Sequence, residues 1–286
     1  MNSHSPVVSI VLATKNEERN ISSCVKSILA QTYKNIEIIV VDNGSIDRTR
    51  EIASALGVKV YNLADEVNNE RVKNYRGAQL NSGVSKTAAD IVFFPDADMT
   101  FAPELIADCV TRLQSCDALY IPEVVCGRGW FGQVRNFERS FYNQTCIDAV
   151  RIVKTDVFIK VGGFDVENIA FGPDDWDFTK TLLKQGYSLD ISAYPVYHHE
   201  EWLTLSVYLK KKAKYTVTFP DYVRKWGEQD PDIKKQFGLW YRYAGVFLEH
   251  EKWKSIVRAP LAMMGVVFIR FLVGIVFLLN KFKAYI

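Results

Sequence analysis

The sequence predicts an α/β fold, with a mostly parallel open sheet and helices on both of its faces. Two near-continuous apolar runs, at residues 7–13 and 36–41, are typical of strands buried on both faces of a parallel sheet. Segments with apolar residues at helical spacing separate these runs from each other and from later runs. Strands that alternate with helices indicate a parallel sheet built from strand–helix–strand units.

The predicted elements follow one another in a regular order. They are a strand at 7–13, a helix at 21–29, a strand at 36–41, a short helix at 47–56, a strand at 58–61, a helix at 71–84 and a strand at 91–94. Gly57 suits the left-handed residue that ends many helices. Four strands are therefore expected within the first hundred residues.

Three of these strands end in polar or acidic loops, at residues 14–17, 42–45 and 95–98. Ligands of open α/β sheets bind at the carboxyl ends of the strands. We therefore expect the three loops to converge on one crevice.

Composition and cysteine usage exclude several classes of protein. Hydrophobic residues make up 48% and charged residues 24% of the chain, which excludes a disordered or fibrous protein. The five cysteines form no CxxC pair, and their irregular spacing argues against a disulfide framework or a zinc site. The first apolar run is too short for a signal peptide. A reducing, cytosolic location is expected.

Charge is distributed unevenly along the chain. Residues 201–286 contain 15 Lys and Arg against 7 Asp and Glu, a net charge of +8, whereas the first 200 residues carry −6. The basic part suits an anionic surface. The acidic part argues against a nucleic-acid partner.

No glycine-rich phosphate loop occurs in the sequence, since GxGxxG is absent after the first strand and GxxxxGK[ST] is absent throughout. A bound nucleotide diphosphate would need another source of positive charge. Asp96 and Asp98, two residues apart after a buried strand, can share one hard divalent cation. The alternative is a solvated turn.

The motifs as an ordered set resemble family 2 glycosyltransferases of the GT-A fold. The matching stretches cover roughly residues 7–200 and are VSIVLATKNEE, IEIIVVDNGSIDRT, DIVFFPDADM, VGGFD, GPDDWDF and GYSLDISAYPVYHHE. The usual Glu-Asp pair before the aromatic residue is Asp174-Asp175 here, and the usual Arg three positions beyond the last acid is Lys180. Neither departure removes a carboxylate.

The resemblance implies roles for residues at the nucleotide and the metal. The nucleotide-binding residues would be Thr14, Asn16, Glu17, Asp42, Arg71 and Asp96, with Asp42 accepting a hydrogen bond from the base. The cation, Mn²⁺ or Mg²⁺, would be held by Asp96, Asp98 and His198, with His199 as the alternative histidine. Both histidines follow a strand-like run at residues 191–197. Arg71, Lys73 and Arg76 are candidates for contacts with phosphate or ribose. The competing interpretations are a turn residue for Asp42 and an exposed basic helix face for the three basic residues.

The resemblance also implies the residues at the reacting groups. Asp175, just before the aromatic residue, would be the general base, with Asp174 and Trp176 beside the donor sugar or the acceptor. The backbone at Gly163, in the Gly-Gly-Phe-Asp turn, would lie near the donor sugar. The alternatives are helix capping for the acidic residues and an ordinary turn for Gly163.

The C-terminal part divides into a basic, aromatic-rich helical extension at 201–255 and an apolar membrane-associating segment at 256–286, after a transferase domain at 1–200. Residues 259–279 are apolar except for Arg270 and are long enough to span a bilayer. The segment either spans the membrane or lies in its interface. A buried helix pair or a dimer interface is the soluble alternative, and a homo-oligomer is left open.

We therefore predict a metal-dependent, inverting glycosyltransferase on the cytoplasmic side of a membrane, attached peripherally or by a single C-terminal pass. It would move a sugar from a UDP- or GDP-sugar to a hydroxyl of a lipid-linked or membrane-borne glycan. A polyprenyl-phosphate glycosyltransferase, a sugar nucleotidyltransferase and a non-catalytic nucleotide-sugar-binding membrane protein are the rival functions. The nucleotidyltransferase is disfavoured because its Gly-rich, Arg-containing loop is missing.

Overall fold

The computed structural model describes residues 5–65, 76–169, 171–215 and 217–283. Its strands are β1 (Val8–Thr14), β2 (Ile36–Asp42), β3 (Lys59–Asn62), β4 (Ile91–Phe93), β5 (Met99–Phe101), β6 (Ala118–Tyr120), β7 (Glu123–Cys126), β8 (Val150–Lys154), β9 (Leu189–Ile191) and β10 (Val196–His199). Its α-helices are α1 (Ile21–Leu29), α2 (Thr49–Ala55), α3 (Arg76–Val84), α4 (Leu105–Arg112), α5 (Gly129–Arg139), α6 (Thr155–Val161), α7 (Asp174–Lys184), α8 (Leu205–Tyr215), α9 (Phe219–Trp226), α10 (Pro231–Phe237), α11 (Val246–Leu248), α12 (Trp253–Arg258) and α13 (Pro260–Lys283). A π-helix covers Tyr241–Gly245, and 3₁₀ turns cover Leu63–Asp65 and Glu249–Glu251.

The chain forms two compact units. The sheet unit comprises Met1–Pro122, Ala149–Ala170 and Asp174–His198. The helical unit comprises Glu123–Asp148, Phe171–Pro173 and His199–Ile286. Residues 123–148 thus belong with the C-terminal part of the chain, whereas the sequence-based division places them before a boundary at residue 200; that division stays a prediction.

A seven-stranded sheet in the order β3-β2-β1-β4-β8-β6-β9 forms the centre of the sheet unit. Strands β3, β2, β1 and β4 are parallel, β8 runs antiparallel to both of its neighbours, and β9 is parallel to β6. A separate antiparallel pairing joins β10 to β5, with His198 opposite Met99. The first four strands therefore present their carboxyl ends at one edge.

Side chains of β1 alternate between two hydrophobic cores, one on each face of the sheet. Val8, Ile10 and Leu12 pack on the face covered by α1 and α4. Val11 faces the other core, which holds apolar residues of α3, α6 and α7. The fold class expected from the sequence, a mostly parallel sheet with helices on both faces, is confirmed.

One sequence-based element needs correction, and another lies partly outside the described residues. The strand-like run at 191–197 is wrong as one element, because β9 ends at Ile191 and β10 begins at Val196 in a different sheet. Pro195 lies between them and has no N–H to donate to a strand partner. The helix predicted at 71–84 is described from Arg76 to Val84, and residues 71–75 lie outside the described residues.

The helical unit contains the apolar C-terminal segment as part of α13, which packs against α5 and α8. Within the described residues, Pro260–Leu279 is the one stretch with the length and composition needed to cross a membrane, with a mean hydropathy of 2.5. Less than a quarter of this stretch is buried inside the protein. The helix is therefore both docked on its own unit and widely exposed.

Candidate functional site

The carboxyl ends of β1 and β2 are tied together by Gln79 of α3. The buried Gln79 amide donates to the carbonyl oxygens of Thr14, at 3.0 Å, and Val41, at 2.7 Å. Asn43 N–H donates to the Thr14 carbonyl at 2.9 Å. These bonds satisfy backbone groups that the sheet leaves free at its edge, and they fix the first two predicted loops side by side.

Asp42 is fully buried at this edge. Its carboxylate accepts hydrogen bonds from the Thr14 hydroxyl at 3.0 Å and from the Ser45 backbone N–H at 2.8 Å. Arg50 lies 3.6 Å from it. These contacts are those of a turn residue, the competing interpretation of Asp42, and its contact with a base stays a prediction.

Asn16 and Glu17 lie on the loop after β1 and contact the loop after β2. Asn16 has a left-handed backbone (φ 59°), and its N–H donates to the Ser45 hydroxyl at 2.8 Å. Glu17 N–H donates to the Thr49 hydroxyl at 2.7 Å. The pKa of Glu17 is raised, mainly by burial of its carboxyl group. A hydrogen bond from Asn20 lowers this pKa, and the negative charges of Asp98 and Asp96 raise it further. The Glu17 carboxylate is therefore close enough to these two aspartates to interact with their charges.

Arg76 of α3 joins the third loop to the start of α7. Its Nε donates to Asp96 Oδ1 at 3.0 Å, and its Nη1 donates to Asp175 Oδ1 at 2.8 Å. Burial alone would lower the pKa of Arg76, but Asp175, Asp96 and Asp174 raise it above its ordinary value. Arg76 therefore brings together the two carboxylates that the sequence assigns to the metal and to the general base.

Arg151 of β8 is a site residue that the sequence analysis missed. Its side chain is buried, and Nη1 donates to Asp96 Oδ2 at 3.2 Å. Both carboxylate oxygens of Asp96 thus accept from arginines. A signal was present, because Arg151 is the single charged residue within the apolar run of residues 150–153.

Asp98 and His198 form a pair at the β5–β10 pairing, which holds His198 opposite Met99. His198 Nε2 lies 3.1 Å from Asp98 Oδ2. His199 points to a different partner, with Nδ1 3.1 Å from Glu201 Oε1. Of the two histidines that the sequence offers, His198 is the one beside the predicted metal-binding aspartate.

The fit of a divalent cation can be judged from this donor set. Among the described residues, no three His, Cys, Asp or Glu side chains are arranged as a complete metal cage. Asp98 nevertheless offers a carboxylate and His198 an imidazole as ligands, with Oδ2 and Nε2 3.1 Å apart. Both side chains are partly exposed. Two protein ligands leave coordination positions for diphosphate oxygens and water, as in sites that hold a cation together with a substrate phosphate. The residues therefore fit a cation that is bound jointly by the protein and by the diphosphate of a substrate.

Asp174 and Trp176 flank Asp175 in the first turn of α7. Asp174 is buried, and its Oδ2 lies 3.6 Å from Arg76 Nη1 without a hydrogen bond. Burial and the charge of Asp175 raise the pKa of Asp174 to about 7, against the opposing effect of Arg76. Trp176 is half-buried. Perturbed carboxyl groups of this kind cluster at functional sites.

Arg71, the remaining predicted nucleotide-binding residue, lies outside the described residues.

Gly163 is required by close packing at the end of α6. It has φ +69°, and a Cβ there would lie 2.7 Å from Asn81 Oδ1 and 2.9 Å from the Phe158 ring. Asn81 in turn bonds to both the N–H and the carbonyl of Phe164. A role beside the donor sugar stays a prediction, and the packing alone explains the glycine.

A matched pair of glycine substitutions measures this packing. Gly162→Ala meets only the cost of its left-handed backbone (φ +88°), since nothing lies within 4 Å of its Cβ, and we expect a loss of about 1 kcal/mol of unfolding free energy. Gly163→Ala must also displace Asn81 or Phe158, and we expect a loss of about 2–4 kcal/mol. Urea denaturation of both variants gives the values, and equal losses would contradict the packing requirement.

The structure thus brings most of the predicted site residues to one edge of the sheet. Five carboxylates lie there, and they belong to Glu17, Asp96, Asp98, Asp174 and Asp175. Two arginines, Arg76 and Arg151, pair with three of them, Asp96, Asp174 and Asp175. A surplus of negative charge in a partly open site favours a bound cation. The arrangement can hold a cation and an anionic ligand beside a carboxylate that is placed to accept a proton.

Comparison with known proteins gives the family. The sequence model described as glycosyl transferase family 2 matches residues 9–164, more than half of the chain. Glycosyltransferase AglE of Haloferax volcanii is 29% identical over 206 residues, covering 66% of this chain and 65% of that protein. Glucosyl-dolichyl phosphate glucuronosyltransferase of the same organism is 29% identical, covering 55% and 56%. The chain spans less than two thirds of the length of these two relatives.

Solved structures share the fold. The mannosyltransferase PcManGT of Pyrobaculum calidifontis, solved with GDP-Man and Mn²⁺, superposes with a TM-score of 0.60 at 19% identity, covering 93% of this chain and 76% of that one. Glucosyl-3-phosphoglycerate synthase of Mycobacterium tuberculosis, solved with Mn²⁺ and UDP, gives a TM-score of 0.55 at 20% identity, covering 79% and 82%. With its matching sequence model and its GT-A fold, this chain belongs to glycosyl transferase family 2.

Proposed function

We propose that this chain is a metal-dependent, inverting glycosyltransferase that moves a sugar from a nucleotide-diphosphate sugar to a hydroxyl of a lipid-linked or membrane-borne glycan. The observation that carries the proposal is the convergence of Asp98–His198 and Arg76–Asp175 at one edge of the sheet. One pair suits a cation, and the other supports Asp175 as the carboxylate that accepts a proton. Family membership supplies the reaction class.

Asp98 and His198 would hold the cation, with Asp96 beside them. The chemistry that such a cation supplies is neutralisation of the charge that develops on the leaving diphosphate. The mixed oxygen and nitrogen donors favour Mn²⁺ over Mg²⁺, because Mg²⁺ prefers oxygen ligands alone in octahedral geometry. Two structural neighbours that contain Mn²⁺ with GDP-Man or UDP support the same class of donor.

Asp175 would accept the proton of the acceptor hydroxyl as its oxygen attacks the anomeric carbon. The bond between that carbon and the diphosphate oxygen breaks in the same step, so the anomeric configuration inverts. Arg76, 2.8 Å from Asp175, fixes the position of the carboxylate. A phosphate acceptor is already ionised and needs no base, so a carboxylate held in this way favours a hydroxyl acceptor.

A membrane-borne acceptor is supported by the apolar exposure of α13 and by the +8 charge of residues 201–286. The similarity to a glucosyl-dolichyl phosphate glucuronosyltransferase, whose name gives a lipid-linked acceptor, supports the same proposal. A cytoplasmic location agrees with five cysteines that form no disulfide bond in the described part of the chain.

Metal-dependent nucleotide binding tests this proposal. We expect Asp98→Ala to reduce Mn²⁺-dependent affinity for UDP or GDP at least tenfold, because the variant removes one of two protein ligands. His198→Asp replaces the nitrogen donor by oxygen and should shift the preference toward Mg²⁺. Calorimetry with each metal gives both results.

Asp190→Ala is the control, since this carboxylate lies on β9 and pairs with Arg112. The control should bind nucleotide like the unmodified protein. Unchanged Mn²⁺-dependent affinity in Asp98→Ala would refute the assignment of the metal ligand.

A further inference from the structure

Helix α13 has two different faces within the helical unit. One face packs against α5 and α8 and buries Val266, Ile269 and Arg270. Close approach to α5 is possible because residue 265 is glycine: a Cβ there would lie 2.5 Å from Val134. The opposite face is apolar and exposed from Leu261 to Leu279.

Arg270, the one charged residue within 260–279, belongs to the packed face. It is only 8% exposed, and its Nε donates to Glu138 Oε1 of α5 at 2.8 Å, where Glu138 is 2% exposed. Arg270 Nη2 also donates to the Tyr142 hydroxyl at 3.0 Å, and the Tyr243 hydroxyl donates to the Arg270 carbonyl at 2.8 Å. The middle of α13 is therefore tied to its own unit by buried polar contacts.

These neighbours of α13 cannot enter a bilayer with it. Helix α5 carries a second buried ion pair, between Arg135 and Glu138 at 3.1 Å. Helix α8 carries four lysines in its last six residues. Charged side chains are costly in hydrocarbon. A membrane-spanning α13 would either take this charge into the bilayer or lose its packing on α5 together with the Arg270–Glu138 pair.

The exposed face is a continuous apolar surface about 30 Å long, from 20 residues at 1.5 Å each. Its side chains are spaced at three and four residues, and they are Leu261, Met264, Phe268, Phe271, Ile275 and Leu278. Beside it, α12 and α13 form an open groove of about 540 Å³ whose lining is entirely apolar. An exposed surface of this size and composition marks an interaction site.

The residues around this face suit the headgroup layer of a membrane. Trp130 of α5 is half-exposed and contacts Phe268, with ring centroids 6.4 Å apart. Trp253, Lys254 and Arg258 of α12 are exposed next to the helix. Tryptophan and basic side chains are the residues that anchor proteins at bilayer surfaces.

We infer that α13 lies in the plane of an anionic membrane surface, with its exposed apolar face in the hydrocarbon and its Arg270 face held on α5 in the aqueous part of the protein. Residues 260–279 then do not cross the bilayer, and both ends of the helix are on the same side. A second copy of the chain is a less favourable partner for this exposed face than a membrane. Residues 201–286 carry a net charge of +8, so the two copies would repel each other.

The inference deepens the proposed function, since a membrane-borne acceptor gives this surface its purpose, but it rests on different residues. Donor binding, measured by calorimetry on the same samples, reports on the proposed function alone. A protein that binds membranes in this way and binds no nucleotide would contradict the glycosyltransferase proposal and leave the membrane surface standing.

Charge placed on the exposed face tests the surface. The double variant Met264→Glu/Phe271→Glu changes two side chains that are 68% and 59% exposed, so it should fold normally. We expect its partitioning to vesicles of phosphatidylcholine and phosphatidylglycerol to fall at least tenfold. Ile159→Glu, 66% exposed on α6, is the matched control and should bind vesicles like the unmodified protein. Equal partitioning of all three proteins would overturn the inference.

Accessibility of the two helix ends tests the topology. Lys254→Cys and Lys281→Cys are made in the full chain and treated with a membrane-impermeant maleimide in sealed inside-out vesicles, with the unmodified chain as background. We expect both variants to react without detergent. Reaction of Lys281→Cys only after detergent would show a spanning helix, and a dimer that ignores vesicles would show a protein interface. Either result overturns the inference.

Discussion

Replacing Asp175 by asparagine is expected to lower turnover by roughly 10²–10⁴-fold while leaving donor affinity unchanged. Asparagine keeps the shape of the side chain and an oxygen that can accept from Arg76 Nη1, now at 2.8 Å from Asp175. It cannot take the proton of an acceptor hydroxyl. Steady-state rates and nucleotide calorimetry on the same variant separate the two effects.

Helix capping is the competing explanation for Asp175, and a matched variant isolates it. Asp156 is likewise an acidic residue in the first turn of a helix, α6, and it is exposed. Asp156→Asn should retain full turnover, and in both variants the change in unfolding free energy should be about 1 kcal/mol or less. A loss of turnover below tenfold in Asp175→Asn would remove Asp175 from the role of base.

Arg270→Leu is expected to destabilise the protein by about 3–5 kcal/mol, because it removes the nearest positive charge from the buried Glu138 carboxylate. Burial opposes ionisation of Glu138, yet Arg270 and Arg135 outweigh burial and lower its pKa to about 2. Denaturation in the presence of a mild detergent measures the loss. For a helix that crosses a bilayer, the same substitution would remove a cost and increase stability.

Two further variants identify the cause of that loss. Arg270→Leu/Glu138→Leu removes both charges of the pair and should recover part of the stability. The recovery is incomplete because Arg135 then loses Glu138 and keeps Glu200, which lies 3.5 Å away. Lys254→Leu breaks an exposed pair with Glu251 and should change stability by about 1 kcal/mol or less. A loss in Arg270→Leu as small as in Lys254→Leu would show that the buried pair does not hold α13.

The parallel half of the sheet could be predicted because its strands are long apolar runs. Strands β1 and β2, of seven residues each, are recognisable without a structure. Strands β6 and β9 have only three residues each, which gives no period to detect. The antiparallel insertion of β8 between β4 and β6 depends on contacts far apart in sequence, and local patterns do not encode it.

The chemical types of the site residues could be predicted, but several of their partners could not. Asp96 and Asp98 were recognised as a pair, yet they point to different partners, the arginines and His198. The sequence analysis offered Arg76 as a phosphate or ribose contact, and the structure places it on Asp96 and Asp175. Such pairings join residues 20 to 100 positions apart and are fixed by strand order rather than by local sequence.

The apolar C-terminal segment likewise has features that the sequence reveals and others that only the structure reveals. Length and apolarity identified residues 259–279 and left spanning and interfacial positions equally open. The partner of Arg270 lies 132 residues earlier in the chain. Without that partner the arginine is only an interruption of an apolar run, whereas with it the arginine defines the face of the helix that stays in the protein.

Release of nucleoside diphosphate from nucleotide sugars is the measurement that tests the glycosyltransferase proposal most directly. The full chain, bound to anionic vesicles that contain membrane lipid extract, is incubated with a panel of UDP- and GDP-sugars with or without Mn²⁺. We predict release from at least one donor that requires Mn²⁺, the lipid extract and Asp175, with an inverted anomeric configuration in the product. Absence of both release and Mn²⁺-dependent binding across the panel, or a product with retained configuration, would contradict the proposed reaction.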